Sequence, residues 1–117
     1  MKVTRFEDLI AWQKAQDLAV MLYDKFSRHS DFGFRNQLLK AVVSISNNIA
    51  EGFDRKTNKE FRYFLFVSMG SNSEVKSMIY LAKRLKYINH QEKEDITKRS
   101  EEVGKIIYGL IKSIHVK

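Results

Sequence analysis

Four stretches of this chain carry apolar residues at steps of three and four, the spacing that lays one stripe along an α-helix. In the first, Trp12, Ala15, Ala19, Leu22 and Phe26 form the stripe, with Leu9 and Leu18 widening it. Gln13, Lys14, Gln16, Asp17, Asp24 and Lys25 fall mostly away from it, and the pattern predicts a helix from about Asp8 to about His29. A short loop, Ser30-Asp31-Phe32-Gly33, follows. The second helix is expected from about Phe34 to Glu51, ended by Gly52 in a left-handed conformation. Phe34, Leu38, Ile45 and Ile49 make its main stripe, flanked by Ala41 and Val42, while Leu39, Val43 and Ala50 lie on its far side. A helix apolar on two faces is usually buried on two faces. In a protein this small, the second cover is expected from another subunit.

The third helix has the clearest start, since Thr57-Asn58-Lys59-Glu60 fits a capping box. It is expected to reach about Lys86, roughly 43 Å at the usual rise per residue. Phe61, Leu65, Ser68, Asn72, Val75, Ile79 and Ala82 form a heptad-like seam. Its middle, Ser68 to Ser73, is a run of poor helix formers. The seam stays in phase on both sides of that run, which argues for one unbroken helix. There the small residues allow close approach, and Asn72 is placed to fix register. Asn89 and Glu92 offer a second capping pair, opening a fourth helix to about His115 with Ile96, Val103, Ile107, Leu110 and Ile114 as its stripe. Short loops make consecutive helices antiparallel neighbours. The expected fold is therefore all-α, an antiparallel up-down-up-down four-helix bundle, in a single domain spanning residues 1–117.

Composition supports that reading. The 117 residues include no cysteine, no proline and only 5 glycines, too few turn formers for a many-stranded β fold. Without cysteine there is no disulfide framework and no thiolate metal site. Charges within Lys2, Arg5, Glu7 and Asp8 stand where a signal peptide needs apolar residues. No stretch is long and apolar enough to span a membrane. These features point to a cytoplasmic protein.

The residues offer little chemistry. A di-iron helical bundle needs Glu three residues before His, but His29, His90 and His115 are preceded there by Phe26, Tyr87 and Lys112. Each histidine stands near a helix end, where capping or a solvent-facing role is expected. Gly104 and Gly109 have the glycine spacing of a phosphate loop, but Leu110-Ile111 follows in place of Lys-Ser/Thr. No enzyme activity, metal or cofactor is expected. The most unusual local feature is a polar stripe on the second helix, Ser44, Asn48 and Glu51, with Gln37 on the same side. It reads either as a side-chain network that fixes register or as a ligand site. Ser71, Asn72 and Glu74 on the third helix are expected to join that network, with Glu51 and Glu74 structural and at opposite ends of the bundle.

The net charge is +7, from 21 Lys+Arg against 14 Asp+Glu. A basic balance permits an anionic partner without requiring one. Arg55, Lys56, Lys59 and Arg62 cluster at the turn before the third helix, and Lys83, Arg84 and Lys86 at its other end. Lys14 is expected to join the first cluster. Cations gain nothing from the dipole at a helix start, so local stability is a weak reason for the first cluster. On the third helix Tyr63 and Phe66 face away from the seam, as Leu39 and Val43 do on the second. Exposed patches of this kind mark interfaces.

The order and spacing of several blocks resemble a known family. These are Phe6-Glu7-Asp8-Leu9 before Trp12-Gln13-Lys14-Ala15, the run Ser44 to Phe53 with its Asn48-Ile49-Ala50-Glu51-Gly52 core, Lys59-Glu60-Phe61 with Phe64-Leu65, and Gly70-Ser71-Asn72-Ser73-Glu74. They look like the bacterial four-helix-bundle proteins first noted as open reading frames in intervening sequences of 23S ribosomal RNA genes, relatives of the accessory protein of diversity-generating retroelements. The chain departs from the family where Ser46 stands for a frequent proline and Phe53-Asp54 for an aromatic–glycine pair, both beside the motifs rather than in them. The resemblance implies a ring-shaped homo-oligomer, commonly a homopentamer, without enzyme activity, and RNA or DNA binding as the best-supported role in the retroelement branch. Two functions are expected in consequence. One is a basic homo-oligomer that binds nucleic acid with low sequence specificity. The alternative is a scaffold or accessory subunit whose protein partner is a larger enzyme.

Overall fold

A computed structural model describes residues 2–116 of the chain, and they form four α-helices with no strand among them. The helices are α1 (Ile10–Phe26), α2 (Phe32–Phe53), α3 (Asn58–Arg84) and α4 (His90–Ser113). A single 3₁₀ turn, Phe6–Asp8, precedes α1.

Three of the four starts are set by a side chain that satisfies orphan backbone donors. Asp31 Oδ1 accepts the Phe34 N–H at 3.1 Å, so α2 begins at Phe32, inside the expected loop. Thr57 Oγ1 accepts the Glu60 N–H at 3.1 Å, while its hydroxyl donates to Glu60 Oε1 at 3.0 Å. The reciprocal box is complete only at α4, where Asn89 Oδ1 accepts the Glu92 N–H and Glu92 Oε1 accepts the Asn89 N–H. The first helix has no side-chain cap and begins at Ile10, because Phe6–Asp8 forms its own turn.

The end of α3 differs from the expected Lys86. Tyr87 N–H reaches back to Ala82 O at 2.9 Å and Lys86 N–H to Lys83 O at 3.1 Å, the paired closure of a Schellman motif. Lys86 sits at its left-handed position, with φ 64°, which glycine occupies at no steric cost. Lys86→Gly is expected to stabilise the protein by about 0.5–1 kcal/mol, read from the urea midpoint at unchanged slope.

Gly52 is also placed differently from expectation. It lies inside α2, which continues to Phe53, and no described glycine has a positive φ. A Cβ built on Gly52 would stand 2.5 Å from Phe64 Cβ and 3.3 Å from Phe61 O. The residue is glycine because α2 and α3 cross closely there, and not because a left-handed cap needs it.

Each helix packs on the next in chain order and α4 closes back on α1. Along the α2–α3 contact, Gln37 meets Glu74, Ser44 meets Ser71, and Ile45 meets Ser68. The stripes meet in one apolar core that includes Leu18, Leu22, Leu38, Ile45, Ile49, Leu65, Ile79, Ile96 and Ile107. The polar seam residues of α3 are inside it and bonded. Ser68 Oγ donates to Ile45 O at 2.9 Å, and Asn72 exchanges two bonds with Ser100. Among the described residues no buried side-chain polar atom lacks a partner, the condition such a seam must meet. Leu39 is buried within the chain and Val43 packs half-buried on the same core, so the second face of α2 does not wait for another subunit as expected.

Candidate nucleic-acid interface

Charge is unevenly spread over the four helices. Residues 32–87 hold ten Lys+Arg against four Asp+Glu, so six of the seven excess positive charges belong to α2, α3 and their turns. On α1 and α4 acids and bases nearly balance, and several are paired across the helix boundary. Lys25 Nζ lies 2.6 Å from Glu92 and Lys14 Nζ 3.7 Å from Glu102. Lys14 therefore belongs to the α1–α4 face and not to the basic turn.

At the α2–α3 turn, Arg55 is already engaged. Its guanidinium bonds Glu51 at 2.7 Å, one helical turn back, and lies 4.9 Å from the centre of the Phe64 ring. Arg62 lies over Phe66 at 5.9 Å. Lys56 and Lys59 flank an open recess completed by Thr57, Asn58, His115 and Val116. The recess is held by Asn58, whose Nδ2 donates to His115 O at 3.0 Å and so ties the end of the chain to the start of α3.

At the other end, Lys83 and Arg84 stand in the last turn of α3, where the helix dipole favours cations. The two basic clusters lie at opposite ends of one helix and do not meet. Of the seven cations named from the sequence, six make no ion pair among the described residues; Arg55 alone does.

The polar residues singled out on α2 and α3 separate into four groups. Asn48 Nδ2 donates to Ser44 O and Oγ, and Ser44 Oγ meets Ser71 Oγ at 2.9 Å, a half-buried seam between α2 and α3. Glu74 accepts from Gln37 Nε2 at 3.1 Å on the surface. Glu51 faces solvent with Arg55. Asn72 points to the other side of α3, toward α4. Both glutamates are exposed, Glu51 paired with a base and Glu74 accepting a hydrogen bond.

A cluster at the far end was not legible in the sequence. Tyr87 Oη donates to Asp31 Oδ2 at 2.6 Å, and the Asp31 N–H bonds His29 Nδ1. The rings of His29 and Tyr87 lie 4.2 Å apart, with Phe34 5.3 Å from Tyr87. The Tyr87 hydroxyl, and then the Phe34 N–H, hold the Asp31 carboxyl below its ordinary value, while Asp31 pushes the Tyr87 hydroxyl up. His29 is thus half-buried, its ring packed on Tyr87 and its Nδ1 accepting a backbone N–H past the end of α1, the capping kind of role rather than the solvent-facing one. Asp31-Phe32-Gly33-Phe34 held the capping signal, with an acceptor three residues before an apolar position.

Among the described residues no group of three His, Asp or Glu gathers as a metal site would need, and no helix is long and apolar enough to cross a membrane. What the geometry defines is an all-α protein whose helices close round one core and whose surface is basic on one pair of helices. The chain belongs to the 23S rRNA-intervening sequence protein family, whose description matches residues 7–109. Its fold is similar to a crystal structure of a protein of unknown function from the S23 ribosomal protein family of Bacteroides thetaiotaomicron. The two share 23% identity at a TM-score of 0.83, over 89% of this chain and 100% of that one. No curated protein matches the chain.

Proposed function

We propose that this protein is a non-enzymatic homo-oligomer that binds RNA or another nucleic acid with little sequence preference. The observation that carries the reading is the set of unpaired cations on α2, α3 and their turns. Of the ten cations on residues 32–87 only Arg55 and Lys76 make an ion pair, whereas four of the ten other described cations, Arg5, Lys14, Lys25 and Lys93, do. Six of those without an acid partner, Lys56, Lys59, Arg62, Lys83, Arg84 and Lys86, form the two clusters and are available to phosphates. The N-terminal N–H groups of α3 lie beside Lys56 and Lys59 and favour anions in the same place. We take the helices as an antiparallel up-down-up-down bundle, supported by the contacts in which low positions on α2 meet high positions on α3. Assembly of such bundles in a ring, a pentamer by family resemblance, would repeat each cluster around one rim and raise the local potential.

Gel shift with a salt titration tests the reading. Wild-type protein is expected to bind single-stranded RNA with an affinity that falls steeply as salt rises. Lys56→Glu/Lys59→Glu should weaken binding and lower the salt slope by about 1.4, from about 0.7 per phosphate contact on a single strand. Lys83→Glu/Arg84→Glu should matter less, since the helix dipole already accounts for those residues. Greater loss from the second variant would move the site to the other rim. Absence of any salt-dependent binding, together with recovery of one specific protein by pull-down, would favour the scaffold reading, for which the exposed aromatic face of α3 is the supporting feature.

A further inference from the structure

We propose that the outer face of α3 docks head to tail on the outer face of α1 of a second copy of this chain. The proposal rests on the homo-oligomer reading above and assigns its two contact surfaces. Between Tyr63 and Ala82 only Glu74 and Lys76 are charged, an unusual run for a helix with a solvent side. Tyr63, Phe66, Leu81 and Leu85 are each at least 45% exposed, and they follow one line down the side of α3 away from the core. From Tyr63 to Leu85 that line runs about 33 Å at 1.5 Å per residue. The line is apolar at its two ends, Tyr63 with Phe66 and Leu81 with Leu85, and carries Gly70, Glu74 and Ser77 between them; exposed apolar patches of this kind mark interaction sites.

Gly70 lies in the middle of that line. It is exposed, and a Cβ added there would meet nothing within 4 Å. Nothing inside the chain requires glycine at this position, and mid-helix glycine is unfavourable. A second backbone crossing close to α3 would require it, just as α3 requires Gly52 of α2 within the chain.

The occupant is indicated by a second uncovered face. On α1, Val20 is 60% exposed and Tyr23 45%, and they stand between Asp17 and Asp24. Neither aspartate has an ion pair among the described residues. The α3 line is bordered instead by Lys59 and Arg62 at one end and Arg84 at the other, also unpaired. Both faces thus carry exposed apolar residues, and the charges that border them are opposite. Packing α3 antiparallel on a second α3 would set arginine against arginine, whereas α1 supplies the missing acids. Helices α1 and α3 are not neighbours within the chain, so one protomer can use both outer faces at once. A contact between two different faces leaves one of each free at the ends, which is the geometry of a ring or a filament rather than a closed dimer.

The test is a mixing experiment read by light scattering. Phe66→Asp disables the α3 face and Val20→Asp the α1 face. Both sites are exposed, and circular dichroism checks that each variant keeps its helices. Wild type is expected to assemble, each variant alone to run as a monomer, and their equal mixture to give a dimer, because one intact junction remains. An assembling Val20→Asp beside a monomeric Phe66→Asp would overturn the head-to-tail assignment in favour of α3 pairing with itself. Two variants that both assemble like wild type would overturn both faces. A monomeric wild type would instead overturn the homo-oligomer reading itself, and loss of RNA binding by its Phe66→Asp variant would then make the α3 face a nucleic-acid platform.

Discussion

Valine at position 52 will lower the melting temperature by about 12 °C. The position has no room for a side chain, because the atom nearest to an added Cβ is Phe64 Cβ, at 2.5 Å, and Phe61 Cδ1 and O follow at 3.2 and 3.3 Å. Two of those three atoms are fixed by the backbone of α3, so no rotamer change can clear them. The helices must move apart there, which also pulls on the Ser44–Ser71 and Ser68–Ile45 bonds about two turns along the same contact. Overpacking of this kind costs about 3 kcal/mol. At about 4 °C per kcal/mol for a domain of this size, that is the expected shift. Gly52→Ala is the sharper comparison, since alanine gains up to about 1 kcal/mol in helix propensity. It should still melt below wild type by circular dichroism. A melting point above wild type would mean that α2 and α3 have slack at this crossing and that glycine is there for another reason.

Gly52 also shows where sequence reading stops. Period and capping signals located all four helices, because stripes of three and four and an Asn or Thr three residues before Glu are local properties. The placement of Gly52 depends on how near α3 comes, which is not local, and a glycine at the end of an apolar pattern reads most simply as a cap. Lys86 is the converse case. The left-handed turn that ends α3 falls on a lysine, so the residue that usually announces it is missing. Leu39 and Val43 were legible as a second apolar face, but their cover turned out to be within the same chain. Which of two apolar faces stays open is decided by helix positions round the core. On α3, by contrast, Tyr63 and Phe66 face away from the seam and do remain exposed. The basic clusters were visible as sequence runs. Their pairing was not, since Arg55 finds Glu51 one turn back at the end of α2 while Lys56 and Lys59 flank an open recess.

Removing the Asn72 side chain will be the costliest single polar change in the core. Its Nδ2 donates to Ser100 O at 2.9 Å, and its Oδ1 accepts from Ser100 Oγ at 2.9 Å, both in a buried setting. The pair joins the polar middle of α3 to α4 and fixes the register of those two helices, a role a buried asparagine can fill. Asn72→Leu leaves the Ser100 hydroxyl buried without that acceptor, and an orphaned buried group costs about 1–3 kcal/mol. Leucine also brings a branched chain against α4 at Gly104, where an added Cβ would lie 3.2 Å from the present Asn72 Nδ2. The sum should be about 3 kcal/mol or more, seen as a lower urea midpoint with helicity retained. Ser100→Ala alone should cost less, about 1 kcal/mol, because it removes one bond and leaves an amide that can turn to other partners. Combining the two changes removes both members of the pair, so the loss should fall short of the sum by about 1 kcal/mol. Both partners belong to the same chain, so the oligomer mass should not change. Strict additivity in that cycle would show that Asn72 and Ser100 act independently, and a changed mass would place the asparagine's partner in another subunit.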